Sequence, residues 1–224
     1  MAEIRTTRLL MSEYETHDVK RFTFEMPGGL AFEPGQGIEL ALDHPDWRDQ
    51  WRPFTPTSLP DDGALQFVIK AYPGHHGVTT RLHDLRPGDP VRLREVFGSI
   101  RYRGPGVFLA GGAGITPFIA ILRELRRRGD QARQTLVFAN KTADDIIFRN
   151  ELEGFFGDRC HLVLSDERRQ GLAQGHIDRA LLQRCIDDIA QYFYLCGPPG
   201  FVEALHDTLD ELGLDRERRI VEAA

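Results

Sequence analysis

The 224-residue chain reads as a two-domain protein: an antiparallel barrel or sandwich of short strands, followed by an α/β domain built on a parallel sheet. Three observations predict this. The first hundred residues hold short β-rich runs separated by turn residues. Beyond Arg103-Gly104-Pro105-Gly106, apolar strand-like runs alternate with helically spaced segments, the grammar of βαβ units. The change of pattern is abrupt, and it sets the domains at residues 1–103 and 104–224.

In the first domain Val19-Lys20-Arg21-Phe22-Thr23-Phe24 is rich in β-formers and partly alternating. Ala64-Leu65-Gln66-Phe67-Val68-Ile69-Lys70 and Pro90-Val91-Arg92-Leu93-Arg94-Glu95-Val96 repeat the theme. Turns are marked by Pro27-Gly28-Gly29, Glu33-Pro34-Gly35, Asp61-Asp62-Gly63 and Arg86-Pro87-Gly88-Asp89, where proline and glycine supply the backbone angles a reversal needs. One short helix fits over Thr79–Leu85.

The second domain opens with the buried-type strand Val107-Phe108-Leu109-Ala110. Residues 115–128 have helical spacing, with Phe118, Ile121, Leu122 and Leu125 on one face. A strand over 135–139, a helix over 148–156 and a strand over 161–164 follow. The sequence then predicts a helix over 178–186, a strand over 192–195 and a helix over 199–212.

Composition narrows the function classes. Hydrophobic residues are 41% and charged residues 28%, an ordinary water-soluble balance, and the formal net charge of −6 argues against nucleic acid as a partner. No apolar run approaches the ~20 residues of a membrane span. The segment 1–10 lacks the continuous apolar stretch of a secretion signal, so a cytoplasmic protein is expected. Cys160, Cys185 and Cys196 are too few and too scattered for a disulfide framework or a four-cysteine cluster, and no metal is expected. The adjacent pair His75-His76 lies in a glycine-rich loop and reads as solvated rather than metal-bound.

Four segments carry chemistry. Gly111-Gly112-Ala113-Gly114-Ile115-Thr116-Pro117 joins a buried strand to a helix; glycines there let backbone amides approach a phosphate beside the helix N-terminus. Pro117 falls in the first helical turn, where its missing N–H costs little. The spacing is not the usual dinucleotide fingerprint, and a ligand-free tight turn is the competing reading. Cys196-Gly197-Pro198-Pro199-Gly200 follows another strand, at the same carboxyl edge of the predicted sheet where ligands gather. Arg52-Pro53-Phe54-Thr55 offers a cation, a flat ring and a hydroxyl within four residues; taken alone, a surface arginine beside a core ring is the better reading. Gly77-Val78-Thr79-Thr80 opens a short helix, with free amides and hydroxyls suited to a phosphate.

In this order the four segments resemble the signature of the ferredoxin–NADP reductase superfamily, and the resemblance covers nearly the whole chain. It implies a β-barrel flavin-binding domain followed by a nucleotide-binding domain, and it is nearest the small reductases without an attached ferredoxin domain. It implies FAD, held by Arg52 at the diphosphate, with Pro53 in the same motif, Phe54 against the isoalloxazine ring and Thr55 near the flavin N5. Gly77, Val78, Thr79 and Thr80 would bind the pyrophosphate, and Ile69 and Lys70 would flank the ribityl or adenine side. Gly112, Gly114, Thr116 and Pro117 would shape the nicotinamide path. Cys196 would stand near the nicotinamide C4, with Gly197 and Pro198 as the adjoining wall. Thr55 and Cys196 are thereby the candidate catalytic residues.

Two departures stand out. Phe54 occupies a position where the family usually has Tyr. The chain ends Arg219-Ile220-Val221-Glu222-Ala223-Ala224, where many relatives place an aromatic residue over the flavin. Coenzyme choice is expected to rest on Asp166: the strand over 161–164 runs into Ser165-Asp166-Glu167-Arg168-Arg169. In this superfamily that strand end faces the adenosine ribose, and a carboxylate suits a free 2′-hydroxyl while repelling a 2′-phosphate. NADH is therefore expected, with NADPH as the alternative through Arg168 or Arg169. The resemblance implies an enzyme passing electrons to a separate one-electron acceptor such as a ferredoxin, a flavodoxin or an oxygenase component. The rival readings are a reductase of free flavin or ferric chelates, and a non-catalytic flavin relay subunit.

Overall fold

A computed structural model describes residues 3–72, 74, 77–98 and 100–223, apart from the side chains of Ala132 and Ala223. His75 and His76 lie outside the described residues. The chain divides into two compact units, residues 1–98 with 116–121 and residues 99–115 with 122–224. Each carries one six-stranded sheet.

The first sheet is built from β1 (Arg5–Tyr14), β2 (Val19–Glu25), β3 (Gly37–Leu42), β4 (Arg52–Phe54), β5 (Ala64–Lys70) and β6 (Pro90–Phe97), in the order β4-β3-β6-β1-β2-β5. Every pairing is antiparallel. The two end strands meet: Pro56 bridges Phe67 of β5, and the Thr57 amide donates to the Gln66 carbonyl at 2.8 Å. That bridge brings the segment after β4 against β5, so the sheet curls toward a barrel. Alternation directs Phe22 and Phe24 of β2, Leu65, Phe67 and Ile69 of β5, and Val91 and Leu93 of β6 into one core. The helix α1 (Val78–Leu82) adds Val78 and Leu82 to that same core. Glu95 is an extra residue in β6, which pairs Arg94 with Glu39 and Val96 with Ile38; it takes a positive φ of 41°, as a β-bulge requires.

The strands β1, β3 and β4 are not evident from pattern. In β1 the apolar Leu10, Met11 and Tyr14 are exposed, which blurs the alternation set by buried Thr7 and Leu9. In β3 five of six residues are buried, leaving no period of two to detect.

The second sheet is parallel throughout, in the order β10-β9-β8-β7-β11-β12. Its strands are β7 (Gly106–Gly111), β8 (Thr135–Asn140), β9 (Cys160–Leu164), β10 (Ala173–Gln174), β11 (Tyr192–Gly197) and β12 (Arg219–Ala223). The helices between them are α2 (Thr116–Arg128), α3 (Arg149–Phe156), α4 (Arg179–Cys185) and α5 (Pro199–Glu211). The chain runs outward from β7 through β8 and β9 to β10, then returns to place β11 on the other side of β7. The carboxyl ends of β7 and β11 therefore flank the point where the winding reverses, the usual ligand crevice of such sheets.

Caps explain several helix ends. The Asp178 carboxylate accepts from the Leu181 amide at 2.7 Å and starts α4. Gly129 takes a left-handed φ of 77° and stops α2. Expected and observed helices agree to within a few residues. The C-terminal strand β12 is not expected from the sequence: Arg219–Ala223 is short and mixed in character, and it forms because β11 offers a free edge. That pairing also carries β11 through Gly197 rather than ending it at Leu195, since Cys196 pairs with both Ala110 and Glu222. No helix among the described residues is long and apolar enough to cross a membrane.

Candidate functional site

In the barrel, β4 places the first motif. Arg52 is exposed, with Nη1 donating to the Trp51 carbonyl at 2.8 Å, and Pro53 is exposed beside it. Phe54 is half-buried and meets the Phe67 ring edge-on, with centroids 6.4 Å apart. Thr55 is 8% exposed. The chain beyond it is held by hydroxyl contacts that motif reading does not single out. The Thr57 hydroxyl donates to Gln66 Oε1 at 3.0 Å, and the Gln66 amide donates to Ser58 Oγ at 2.9 Å. These bonds fix the segment that follows β4 against β5.

The Ile69-Lys70 end of β5 is locked by charge. Lys70 Nζ lies 2.8 Å from the Asp18 carboxylate. Burial works to raise the Asp18 carboxyl, but the hydrogen bond and charge of Lys70 outweigh it and hold the group below its ordinary range. Ile69 is buried, and its carbonyl is 2.8 Å from His83 Nε2. A carbonyl only accepts, so Nε2 carries the proton. Burial lowers the His83 pKa despite that bond, so the ring is neutral near pH 7. Lys20 donates to the His83 carbonyl at 2.9 Å. His83 thus ties β5 to the end of α1. A lone histidine after a short helix carries no signal by which sequence alone finds it.

Gly77 caps α1 with φ −92° and no side-chain cap. The first intrahelical bond runs from the Arg81 amide to the Gly77 carbonyl, so the amides of Val78, Thr79 and Thr80 lie ahead of it. The Thr80 hydroxyl donates to the Tyr72 carbonyl at 3.1 Å.

In the parallel sheet, the two glycine-rich segments come together by backbone. A Cβ on Gly114 would stand 2.3 Å from the Cys196 carbonyl oxygen and 2.6 Å from Gly197 Cα, so only glycine fits there. Gly111 and Gly197 both lie against the Phe201 ring, whose nearest carbon would stand 3.1 Å and 2.6 Å from a Cβ added at these two positions. Gly112 has φ +52°, a left-handed turn that opens the 3-10 segment Gly112–Ile115. Thr116 and Pro117 then begin α2. Pro198 is exposed and caps α5.

Cys196 is fully buried at 0% exposure. Burial, helped by Glu222, pushes its thiol up to about 12, against the opposing hydrogen bond from Gly197. It is a neutral thiol at physiological pH, enclosed by the protein, and not a thiolate nucleophile.

Asp166 is exposed in the turn after β9. The Ser165 hydroxyl donates to its carboxylate at 2.6 Å, and its amide donates to the Lys141 carbonyl at 2.9 Å. Of the two nearby arginines, Arg169 faces Glu167 at 3.8 Å, and Glu167 accepts from the Ala143 amide at 2.8 Å. The structure thus gathers Gly112, Gly114, Cys196, Gly197 and Asp166 at one sheet edge, and Arg52, Thr55, Lys70 and Thr79 within the barrel unit.

Comparison with known proteins places each unit. Residues 6–102 match the family model described as an oxidoreductase FAD-binding domain, and residues 108–207 match the oxidoreductase NAD-binding domain. NADH-cytochrome b5 reductase 1 of Arabidopsis thaliana is 31% identical, over 94% of this chain and 80% of its own. NADH-cytochrome b5 reductase 2 of Mycosarcoma maydis is 29% identical over 84% of this chain, which spans only 60% of that longer protein. Among solved structures, the CS-b5R domains of human Ncb5or in the NAD+ form superpose with a TM-score of 0.84 at 29% identity, covering 100% of this chain and 70% of that one.

Proposed function

The chain belongs to the ferredoxin–NADP reductase superfamily as an FAD-dependent oxidoreductase, and we propose that it oxidises NADH and delivers the electrons singly to a separate redox protein. The observation that carries the nicotinamide half is the contact of Gly114 with Cys196 and Gly197 at the reversal of the sheet. Without a Cβ at Gly114 the Gly112–Ile115 turn packs directly on the end of β11, the close approach that brings the turn's backbone to the crevice where a dinucleotide would lie. The barrel half fits FAD by its donors: an exposed guanidinium at Arg52 and the amides ahead of the first α1 bond both suit a diphosphate.

FAD, when bound, supplies the hydride-accepting and one-electron-donating chemistry, and the protein binds, orients and shields. Arg52 holds the diphosphate with the amides of Gly77, Val78, Thr79 and Thr80. Since the Thr80 hydroxyl is engaged with Tyr72, Thr79 is the hydroxyl we assign to phosphate. Pro53 fixes the strand that presents Phe54 to the isoalloxazine ring, and Thr55 offers its hydroxyl at the flavin N5. Ile69 and Lys70 border the ribityl side, kept in place by His83 and Asp18.

Gly112, Gly114, Thr116 and Pro117 shape the path of the nicotinamide nucleotide, while Pro198 stands at the wall beside its ring with Cys196 and Gly197 packed behind it. Cys196 positions and takes no proton, because its thiol stays neutral. Asp166 selects NADH over NADPH by accepting from a free 2′-hydroxyl. The Arg169–Glu167 contact draws one of the two competing cations toward a carboxylate. The relatives named NADH-cytochrome b5 reductases support a one-electron protein acceptor over free flavin or ferric chelates. The test is steady-state NADH oxidation by the purified flavoprotein with cytochrome b5, a ferredoxin, free FMN and a ferric chelate. A kcat/KM highest for a protein acceptor supports the reading. A preference for free flavin or chelate moves the chain to the small-acceptor class, and no turnover with any acceptor favours a relay subunit.

A further inference from the structure

Asn140 ends β8, at the same carboxyl edge as Gly111 and Cys196. It is 7% exposed, and both Oδ1 and Nδ2 of its amide are buried with no hydrogen-bond partner among the described residues. Its backbone is engaged: the carbonyl accepts from the Ser165 amide at 3.0 Å. The side chain thus adds nothing to the join of β8 and β9. A buried amide with neither end paired lowers stability, and an apolar side chain of similar volume would not. Asn140 shares a face of β8 with Phe138, two residues earlier, and the Gly112–Ile115 turn packs on β8. On the other side β9 runs into Ser165-Asp166. The orphaned amide therefore sits between the glycine turn and the carboxylate.

We propose that Asn140 is a binding residue for the nicotinamide dinucleotide, its amide exchanging hydrogen bonds with ribose hydroxyls. This rests on the nucleotide-site reading given above. Hydroxyls fit because both ends of the amide need partners. Pyrophosphate oxygens only accept and would leave Oδ1 unpaired, whereas a hydroxyl donates as well as accepts. The nicotinamide carboxamide would also satisfy both ends, but the residues assigned to that ring lie on β7 and β11, and Asn140 is on the next strand, toward β9.

The probe is NAD+, which binds without turnover, titrated calorimetrically into FAD-loaded wild type and Asn140→Leu, with thermal melts of both in its absence. Asn140→Leu is expected to keep its FAD, to melt at or above the wild-type temperature, and to bind NAD+ about tenfold or more weakly. ADP, titrated in parallel, reports which sugar is held: a parallel loss marks the adenosine ribose, and unchanged ADP affinity marks the nicotinamide ribose. Equal NAD+ affinity in wild type and variant overturns the assignment, and if the variant also melts lower, Asn140 is a structural residue bridged by buried water. Should Asn140→Leu not fold, Asn140→Asp keeps the shape, removes the N–H donors and is read the same way. If wild type itself binds no NAD+, the nucleotide-site reading falls as well; if only the difference is missing, that reading stands and Asn140 alone is wrong.

Discussion

The two halves build their proposed sites by different means. The barrel site draws largely on side chains, Arg52 at a strand start, Lys70 paired with Asp18, and His83 tying β5 to α1, beside the amides that open α1. The parallel-sheet site is assembled from backbone, by glycines that let Gly112–Ile115 press against Cys196 and Gly197. A side-chain site loses one contact at a time. At Gly114 the backbone site tolerates no added atom, because its neighbour is a carbonyl that cannot rotate away.

Gly114→Ala should therefore show the largest effect. The added carbon overlaps the Cys196 carbonyl, and we expect a stability loss of about 3 kcal/mol or more together with loss of NAD+ binding. Thermal melts and NAD+ titration check it; a variant of wild-type stability and affinity would erase the contrast between the halves. Arg52→Ala should weaken FAD binding by roughly 10–100-fold while leaving the melting of the flavin-free chain nearly unchanged, since Arg52 is exposed. Flavin release on gel filtration reads this directly, and a collapse of the apo melt would make Arg52 structural.

Each half also holds a half-buried histidine whose pKa is lowered chiefly by burial, His83 in the barrel and His161 in the parallel sheet. Their folded values lie below the unfolded value, so the unfolded chain binds protons first. Stability should be fully present above about pH 6.5 and fall as pH drops below it. His83→Gln and His161→Gln should each flatten that slope in part, measured by denaturant melts from pH 7 to 5. An unchanged slope in both variants would assign the acid sensitivity elsewhere.

The contrast also explains what the sequence reveals. The glycine-rich segments are legible because two of them follow strands at the same sheet edge, where one alone also reads as a tight turn, and Pro117 and Pro198 mark the helix starts. The requirement at Gly114 is not legible, since it comes from Cys196, more than eighty positions away. In the barrel, Arg52 and Thr55 gain meaning only from the order of all four segments. His83 and the Thr57–Gln66 contact have no pattern to betray them. Among strands, β12 escapes sequence reading because Arg219–Ala223 has weak strand character of its own and takes its form from β11.

Smaller effects separate the positioning residues. Cys196→Ala should slow flavin reduction by NADH roughly tenfold with flavin content intact, since a neutral buried thiol contributes shape and not charge. Wild-type reduction rates in stopped flow would make Cys196 a core residue only. Asp166→Arg should shift the NADH-to-NADPH ratio of kcat/KM toward NADPH by about 10-fold or more. An unchanged ratio would remove Asp166 from coenzyme selection.

The most direct measurement is an anaerobic titration of the purified, FAD-reconstituted protein with NADH, following the visible flavin absorbance. The account predicts full bleaching at one equivalent of NADH per flavin, with NADPH reacting more slowly. A chain that retains no FAD, or whose bound flavin is not bleached by either nucleotide, would contradict it.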